Sequence, residues 1–132
     1  MCQQVSEVSC RQVMVVDDDR FILEVMEELF RPEGIDVVTA ESGDACIAEL
    51  EKGFRGVVLM DVMMPGKDGW ETIEEMIARD LIAGNVVAML TAKDIPDGEL
   101  EPLTEHIIDY ITKPFEADEI VAIVKGYLDY LA

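Results

Sequence analysis

Five side chains able to do chemistry stand at the ends of short apolar runs. Val13-Met14-Val15-Val16 leads into Asp17 and Asp18, and Val57-Val58-Leu59-Met60 leads into Asp61. Val86-Val87-Ala88-Met89-Leu90 leads into Thr91, and Tyr110-Ile111-Thr112 leads into Lys113. A carboxylate can attack phosphorus and carry the phosphoryl group as an acyl phosphate. The reaction needs a cation to offset charge on the transferring group, a nucleophile held in line, and a positive group for the remaining oxygens. Asp17 and Asp18 lie together and suit Mg²⁺, a hard ion that takes oxygen ligands. Asp61 has no second carboxylate beside it and suits the nucleophile. Lys113 is a point charge on a long stem, and Thr91 offers a hydroxyl donor.

Each of these residues has a plainer role when taken alone. Asp17 to Asp19 could be helix N-cap acids, and Asp19 fits that role. Asp61 could begin a turn, Thr91 could cap a helix, and Lys113 could be surface charge. Their joint placement at the ends of apolar runs favours a site. Short Val-rich runs alternating with helical patterns read as buried parallel strands in an α/β sheet. In such sheets the ligand site lies outside the carboxyl ends of the strands, so these side chains should meet at one edge.

The helical patterns fall between the runs. Ile22, Val25, Met26, Leu29 and Phe30 repeat at helical spacing over 19–30, ended by Pro32 and Gly34. A strand is expected at 35–39, and a second helix at 43–52 behind Ser42 or Gly43. Trp70, Ile73 and Ile77 mark a third helix face. Ile120, Ile123, Val124, Tyr127 and Leu131 mark the last. Residues 92–108 are irregular, with Pro96, Gly98 and Pro102. The order reads βαβαβαβαβα, without repeats or a dividing linker.

The chain has 132 residues, enough for one domain with a sizeable core. A polar tail is expected over 1–11 and a folded unit over 12–132. No apolar stretch approaches the roughly 18 residues of a membrane span. The net charge of -19 repels phosphate backbones and anionic lipid, which argues against direct nucleic-acid or membrane binding. Cys2, Cys10 and Cys46 show no metal-binding spacing and read as free thiols in a reducing cytoplasm.

Four segments together resemble the receiver domain of two-component response regulators, of the chemotaxis-receiver type. They are Val15-Val16-Asp17-Asp18-Asp19, Leu59-Met60-Asp61-Val62-Met63-Met64-Pro65-Gly66-Lys67-Asp68-Gly69, Leu90-Thr91-Ala92-Lys93, and Tyr110-Ile111-Thr112-Lys113-Pro114-Phe115. The match runs over residues 12–131. It implies a flavodoxin-like, doubly wound sheet of five parallel strands in the order 2-1-3-4-5 with five flanking helices. It implies Asp61 as phosphoacceptor for a histidine kinase or phosphotransfer protein. Mg²⁺ would be held by Asp18 and Asp61, by Asp17 mainly through water, and by the Met63 backbone carbonyl. Thr91, Ala92 and Lys113 would bind the phosphoryl oxygens. Thr91 and Tyr110 would form the switch, and the bond before Pro114 would be cis. Met63 and Lys93 would flank the path of the water that removes the phosphoryl group. The resemblance implies a signalling module, with only self-catalysed transfer and slow autodephosphorylation, and an output partner the sequence does not name.

The chain departs from that family at His106 and Ile107, where a glycine and a small residue are usual, and at Pro102. An interior proline costs a helix about 3 kcal/mol or more, so the fourth helix should be short or irregular. Other functions fit less well. A phosphohydrolase of the haloacid-dehalogenase type would start with Asp17-x-Asp19. It wants Thr or Val where Phe21 stands, and needs a cap and a late acidic motif. A pseudo-receiver would not need the intact acceptor, acidic pair and lysine. A flavodoxin-like phosphate binder would need a Ser/Thr/Gly-rich loop where the acidic run stands. A stand-alone regulator and a segment of a longer one both fit the chain.

Overall fold

The computed structural model describes residues 12–64, 66–91, 107–112 and 116–131; at 91, 107–110 and 112 it describes the backbone. The strands are β1 (Gln12–Val16), β2 (Asp36–Ala40), β3 (Val57–Asp61), β4 (Val86–Thr91) and β5 (Ile107–Thr112). The described helices are α1 (Arg20–Phe30), α2 (Gly43–Glu51), α3 (Gly69–Ala78) and α4 (Ala117–Leu131). A 3-10 turn over Arg31–Glu33 follows α1 and carries Pro32 in its first turn, where a missing N–H costs nothing.

All pairings are parallel and the strand order is β2-β1-β3-β4-β5. The parallel α/β sheet and its 2-1-3-4 order agree with the sequence-based expectation. Beyond it, β5 runs beside β4 with one register shift between Val87 and Ala88. The irregular fourth helix expected over 92–108 lies, up to 106, outside the described residues, as do the tail over 1–11 and the Lys113–Pro114 bond. Ile107 and Ile108 belong to β5, which starts two residues before the strand over about 109–112 that the sequence pattern indicates.

The side-chain period of two in a strand divides the core between the sheet's faces. Val13, Val15, Val57, Leu59, Ala88 and Leu90 pack with Leu23, Met26 and Phe30 of α1 and with Ile120, Val124 and Leu128 of α4. Met14, Val16, Val58, Met60, Val87 and Met89 pack with Cys46, Ile47 and Leu50 of α2 and with Ile73 and Met76 of α3. Burial on both faces explains why β1 and β3 read as unbroken apolar runs rather than alternating ones. Edge strand β2 is exposed at Asp36 and half-buried over the next three residues. Cys46 is a fully buried free thiol, and burial pushes its pKa up to about 12. Among the described residues no helix is long and apolar enough to cross a membrane.

Candidate functional site

The register fixes where the acidic residues fall. Val16 pairs with Met60, so Asp17, the next residue, comes level with Asp61 at the end of β3. The Asp17 N–H donates to the Ala40 carbonyl at 3.0 Å, which carries the β1–β2 ladder to the sheet edge. Asp61 pairs with Leu90, and Thr91 pairs with Thr112, so four strands end along one edge. The order 2-1-3 makes the gap between β1 and β3 the point where the chain's winding reverses, and a ligand crevice forms at such a point.

Three carboxylates converge in that gap. One oxygen each from Asp17, Asp18 and Asp61 lies within 4.8 Å of the others. Asp17 is 1% exposed and Asp61 6%, whereas Asp18 faces solvent. Two ionised carboxylates at such a spacing repel by on the order of 3 kcal/mol at an effective dielectric of about 20. A divalent cation among them reverses the sign of that interaction. Oxygen ligands at about 2.1 Å from Mg²⁺ stand roughly 3 to 4.2 Å apart, so the donor set suits this ion with little contraction.

Backbone donors orient the two buried carboxylates. Asp17 Oδ1 accepts from the Asp19 N–H at 2.9 Å, and Asp61 Oδ1 accepts from the Met63 N–H at 3.3 Å. Asp19 has the role expected of it: it is the N-cap of α1, and its side chain accepts from the Phe21 N–H. Helix α1 therefore starts directly after the acidic pair, which keeps Asp17 and Asp18 at the strand end.

The loop after Asp61 closes on itself. The Val62 N–H donates to the Leu90 carbonyl at 3.1 Å, and the Gly69 N–H donates to the Val62 carbonyl at 3.0 Å. Gly66 turns the loop at φ +75°, a conformation that costs glycine little. Asp68 and Glu71 form a reciprocal capping box at the start of α3, with both bonds at 2.9 Å. Gly69 leaves no room for a Cβ, which would stand 2.6 Å from the Asp61 carbonyl oxygen. Met64 is buried beneath the loop, while Met63 is 72% exposed.

A second charged group joins the loop to two helices. Lys67 Nζ lies 2.8 Å from Asp44 Oδ1 of α2 and also pairs with Glu75 of α3. Glu75 continues to Arg79 at 2.8 Å, and Arg79 to Glu51 at 2.6 Å. Hydrogen bonds donated to Asp44 and then to Glu75 hold the Lys67 pKa above its usual value. The hydrogen bond from Lys67 holds Glu75 below its own. Arg79 is raised, first by its bond to Glu51.

Of the residues expected at the site, Asp17, Asp18 and Asp61 are brought together, with the Met63 backbone beside Asp61. The backbone of Thr91 ends β4 at the same edge, and the backbone of Tyr110 pairs with Met89. Ala92, Lys113 and Pro114 lie outside the described residues. Lys67 and Gly69 belong to the motif that follows Asp61, and the sequence assigns neither of them a role. Lys67 gives no local signal, because Asp44 is far from it in the chain. Gly69 gives a weak one, a glycine directly after an aspartate N-cap.

A model of the response regulator receiver domain matches residues 13–125. A CheY-like receiver domain protein from Methanospirillum hungatei JF-1 is 40% identical, covering 91% of this chain and 95% of its own, with a TM-score of 0.86. The receiver domain of Francisella response regulator 1452 is 28% identical, covering 92% and 99%, with a TM-score of 0.81. Response regulator TrrA of Thermotoga maritima, solved in complex with Mg²⁺–BeF, is 28% identical, covering 89% and 98%, with a TM-score of 0.75.

Proposed function

The chain belongs to the response regulator receiver domain family, and from that premise we propose that Asp61 accepts a phosphoryl group in a Mg²⁺-dependent reaction. The donor is a phosphohistidine on a histidine kinase or phosphotransfer protein, and the product changes affinity for an output partner. The unit that does this spans residues 12–132 and works in the cytoplasm.

The convergence of Asp17, Asp18 and Asp61 within 4.8 Å at the β1–β3 crevice carries this reading. In the transfer, an Asp61 carboxylate oxygen forms the P–O bond as the P–N bond to the donor imidazole breaks, and the imidazole leaves with a proton from solvent. Asp61 is fixed for this by the Met63 N–H on its Oδ1 and by the strand behind it. Asp18 and Asp61 would hold Mg²⁺ directly, Asp17 mainly through water, and the Met63 carbonyl would complete the protein's share. The ion, when bound, offsets negative charge on the transferring group. Lys113, Thr91 and the Ala92 backbone take the phosphoryl oxygens. Thr91 and Tyr110 relay the change, with the bond before Pro114 cis. These roles rest on the family's motifs, and the Mg²⁺–BeF complex of the TrrA relative supports the ion.

Incubation with acetyl phosphate and Mg²⁺, followed by intact mass measurement, tests the assignment. Wild type gains one phosphoryl mass and Asp61→Asn gains none. Equal labelling of the two would reject Asp61 as acceptor.

A further inference from the structure

We infer that Lys67 is a positioning residue for the metal: its ion pairs to α2 and α3 hold the 62–68 loop so that the Met63 carbonyl faces the cation. The inference rests on the proposed function. It adds a residue outside the five chemical side chains, on the far side of the loop from Asp61 in sequence.

The loop is held at its neck, at the Met63 N–H on Asp61 Oδ1 and at the Asp68 cap of α3. At its neck, Val62 and Gly69 bond to each other and Val62 to Leu90. Within the loop, the Met63 side chain is 72% exposed, Met64 is buried, and Val62 packs half-buried against the core. Among the described residues 62–64 and 66–68, Lys67 is the one whose side chain forms ion pairs with other elements. Its two partners sit on different helices, Asp44 in the first turn of α2 and Glu75 in α3.

The fit is built by the sequence around it. At Gly43 a Cβ would lie 2.1 Å from Thr72 Oγ1 and 3.0 Å from Lys67 Cδ. Only a glycine there lets the start of α2 come this close to α3 and to the lysine stem. That approach brings Asp44 within 2.8 Å of the ammonium. The Lys67 side chain is 27% exposed and Glu75 22%, so salt screens the arm to α3 less than an open surface pair, whereas Asp44, 83% exposed, makes the arm to α2 the more screened one. Outer partners of a metal ligand commonly set its orientation in this way.

Charge alone predicts the opposite effect, which makes the inference testable. Removing the Lys67 cation makes the chain more negative and on field grounds tightens Mg²⁺ binding. Positioning predicts weaker binding. Mg²⁺ affinity is measured by titration calorimetry on wild type, Asp18→Ala and Lys67→Met in about 0.5 M KCl, where exposed charges are largely screened. Metal-free thermal midpoints are recorded beside it. Lys67→Met is expected to bind roughly tenfold more weakly than wild type, the lower end of what outer partners contribute. Equal or tighter binding overturns the inference, even where the metal-free midpoint falls, because Lys67 then only ties helices together. Should Lys67→Met not fold, Lys67→Gln, which also removes the cation but keeps a polar end, takes its place with the same two readings. A wild type that binds no Mg²⁺, or binds it as well as Asp18→Ala, rejects the metal site itself and the inference with it.

Discussion

Gly69 lies against the main chain of Asp61, so that the first residue of α3 and the last of β3 share one close contact. A Cβ at 69 would stand 2.6 Å from the Asp61 carbonyl oxygen, 2.9 Å from Met89 Cε and 3.1 Å from Val62 Cα. Met89 is a flexible side chain and can give way, but the other two atoms are backbone. Gly69→Ala therefore has to move β3 or α3. It is expected to cost about 1–3 kcal/mol, as small-to-large changes in packed sites do. Urea unfolding measures the loss. Because the displaced backbone is that of the proposed acceptor, phosphorylation by acetyl phosphate should slow as well. Unchanged stability would mean that the contact yields freely.

Mg²⁺ should stabilise the fold. Three carboxylates within 4.8 Å favour the cation-bound form of the native chain, and the unfolded chain has no such site. At about 100 times the dissociation constant, one-site binding adds roughly 2.7 kcal/mol. The thermal midpoint is expected to rise with Mg²⁺, and far less in Asp18→Ala. The same rise in that variant would place the ion elsewhere.

The site's acidic core was legible in sequence because each carboxylate follows an apolar run, and a strand end is a position the sequence itself marks. The buried helix faces were legible less well. Leu23 and Leu128 are buried and the periodic patterns passed over them, whereas Ile22, Val25 and Tyr127 are half-buried. A helix lying on a twisted sheet buries a stripe set by its tilt, which local spacing does not encode. Strand β2 runs over 36–40 and not 35–39, because Ile35 belongs to the turn after α1, where its N–H bonds the Phe30 carbonyl. Lys67 was illegible for a different reason. Its partner Asp44 comes from another helix, and no local pattern announces a pair across a fold.

The charged seam from Asp44 to Glu51 gives a pH signature. Lys67 holds the Glu75 carboxyl below its ordinary value of 4.5, so native Glu75 gives up its proton more readily than unfolded Glu75. Its stabilisation is full above that value and is lost as pH falls through the folded pKa. Lys67 is raised above its ordinary 10.5, so its share is full below that value and is lost as pH rises through the folded pKa. The stability difference between wild type and Glu75→Gln should be flat between these limits and shrink on either side. Denaturant unfolding from pH 3 to 11 measures it. A difference independent of pH below 4.5 would show that Glu75 contributes by packing alone.

Met63 should lengthen the life of the phosphorylated form. It stands two residues past Asp61, its N–H is bonded to Asp61 Oδ1, and its side chain is 72% exposed beside the site. Hydrolysis of an acyl phosphate needs a water aligned on phosphorus, opposite the Asp61 oxygen. A long thioether side chain offers that water no hydrogen bond and excludes it by bulk. Asparagine is shorter and supplies both a donor and an acceptor. Met63→Asn should speed phosphate loss by a factor of about three to ten, equal to roughly 0.6–1.4 kcal/mol of barrier. Because the native side chain is exposed, the substitution removes little buried surface, and the metal-free thermal midpoint should stay near that of wild type. Loss of the phosphoryl mass is followed after the donor is removed, with Mg²⁺ held constant. Loss that is unchanged or slower in a variant of wild-type stability would mean that water reaches the phosphorus by a path this side chain does not border.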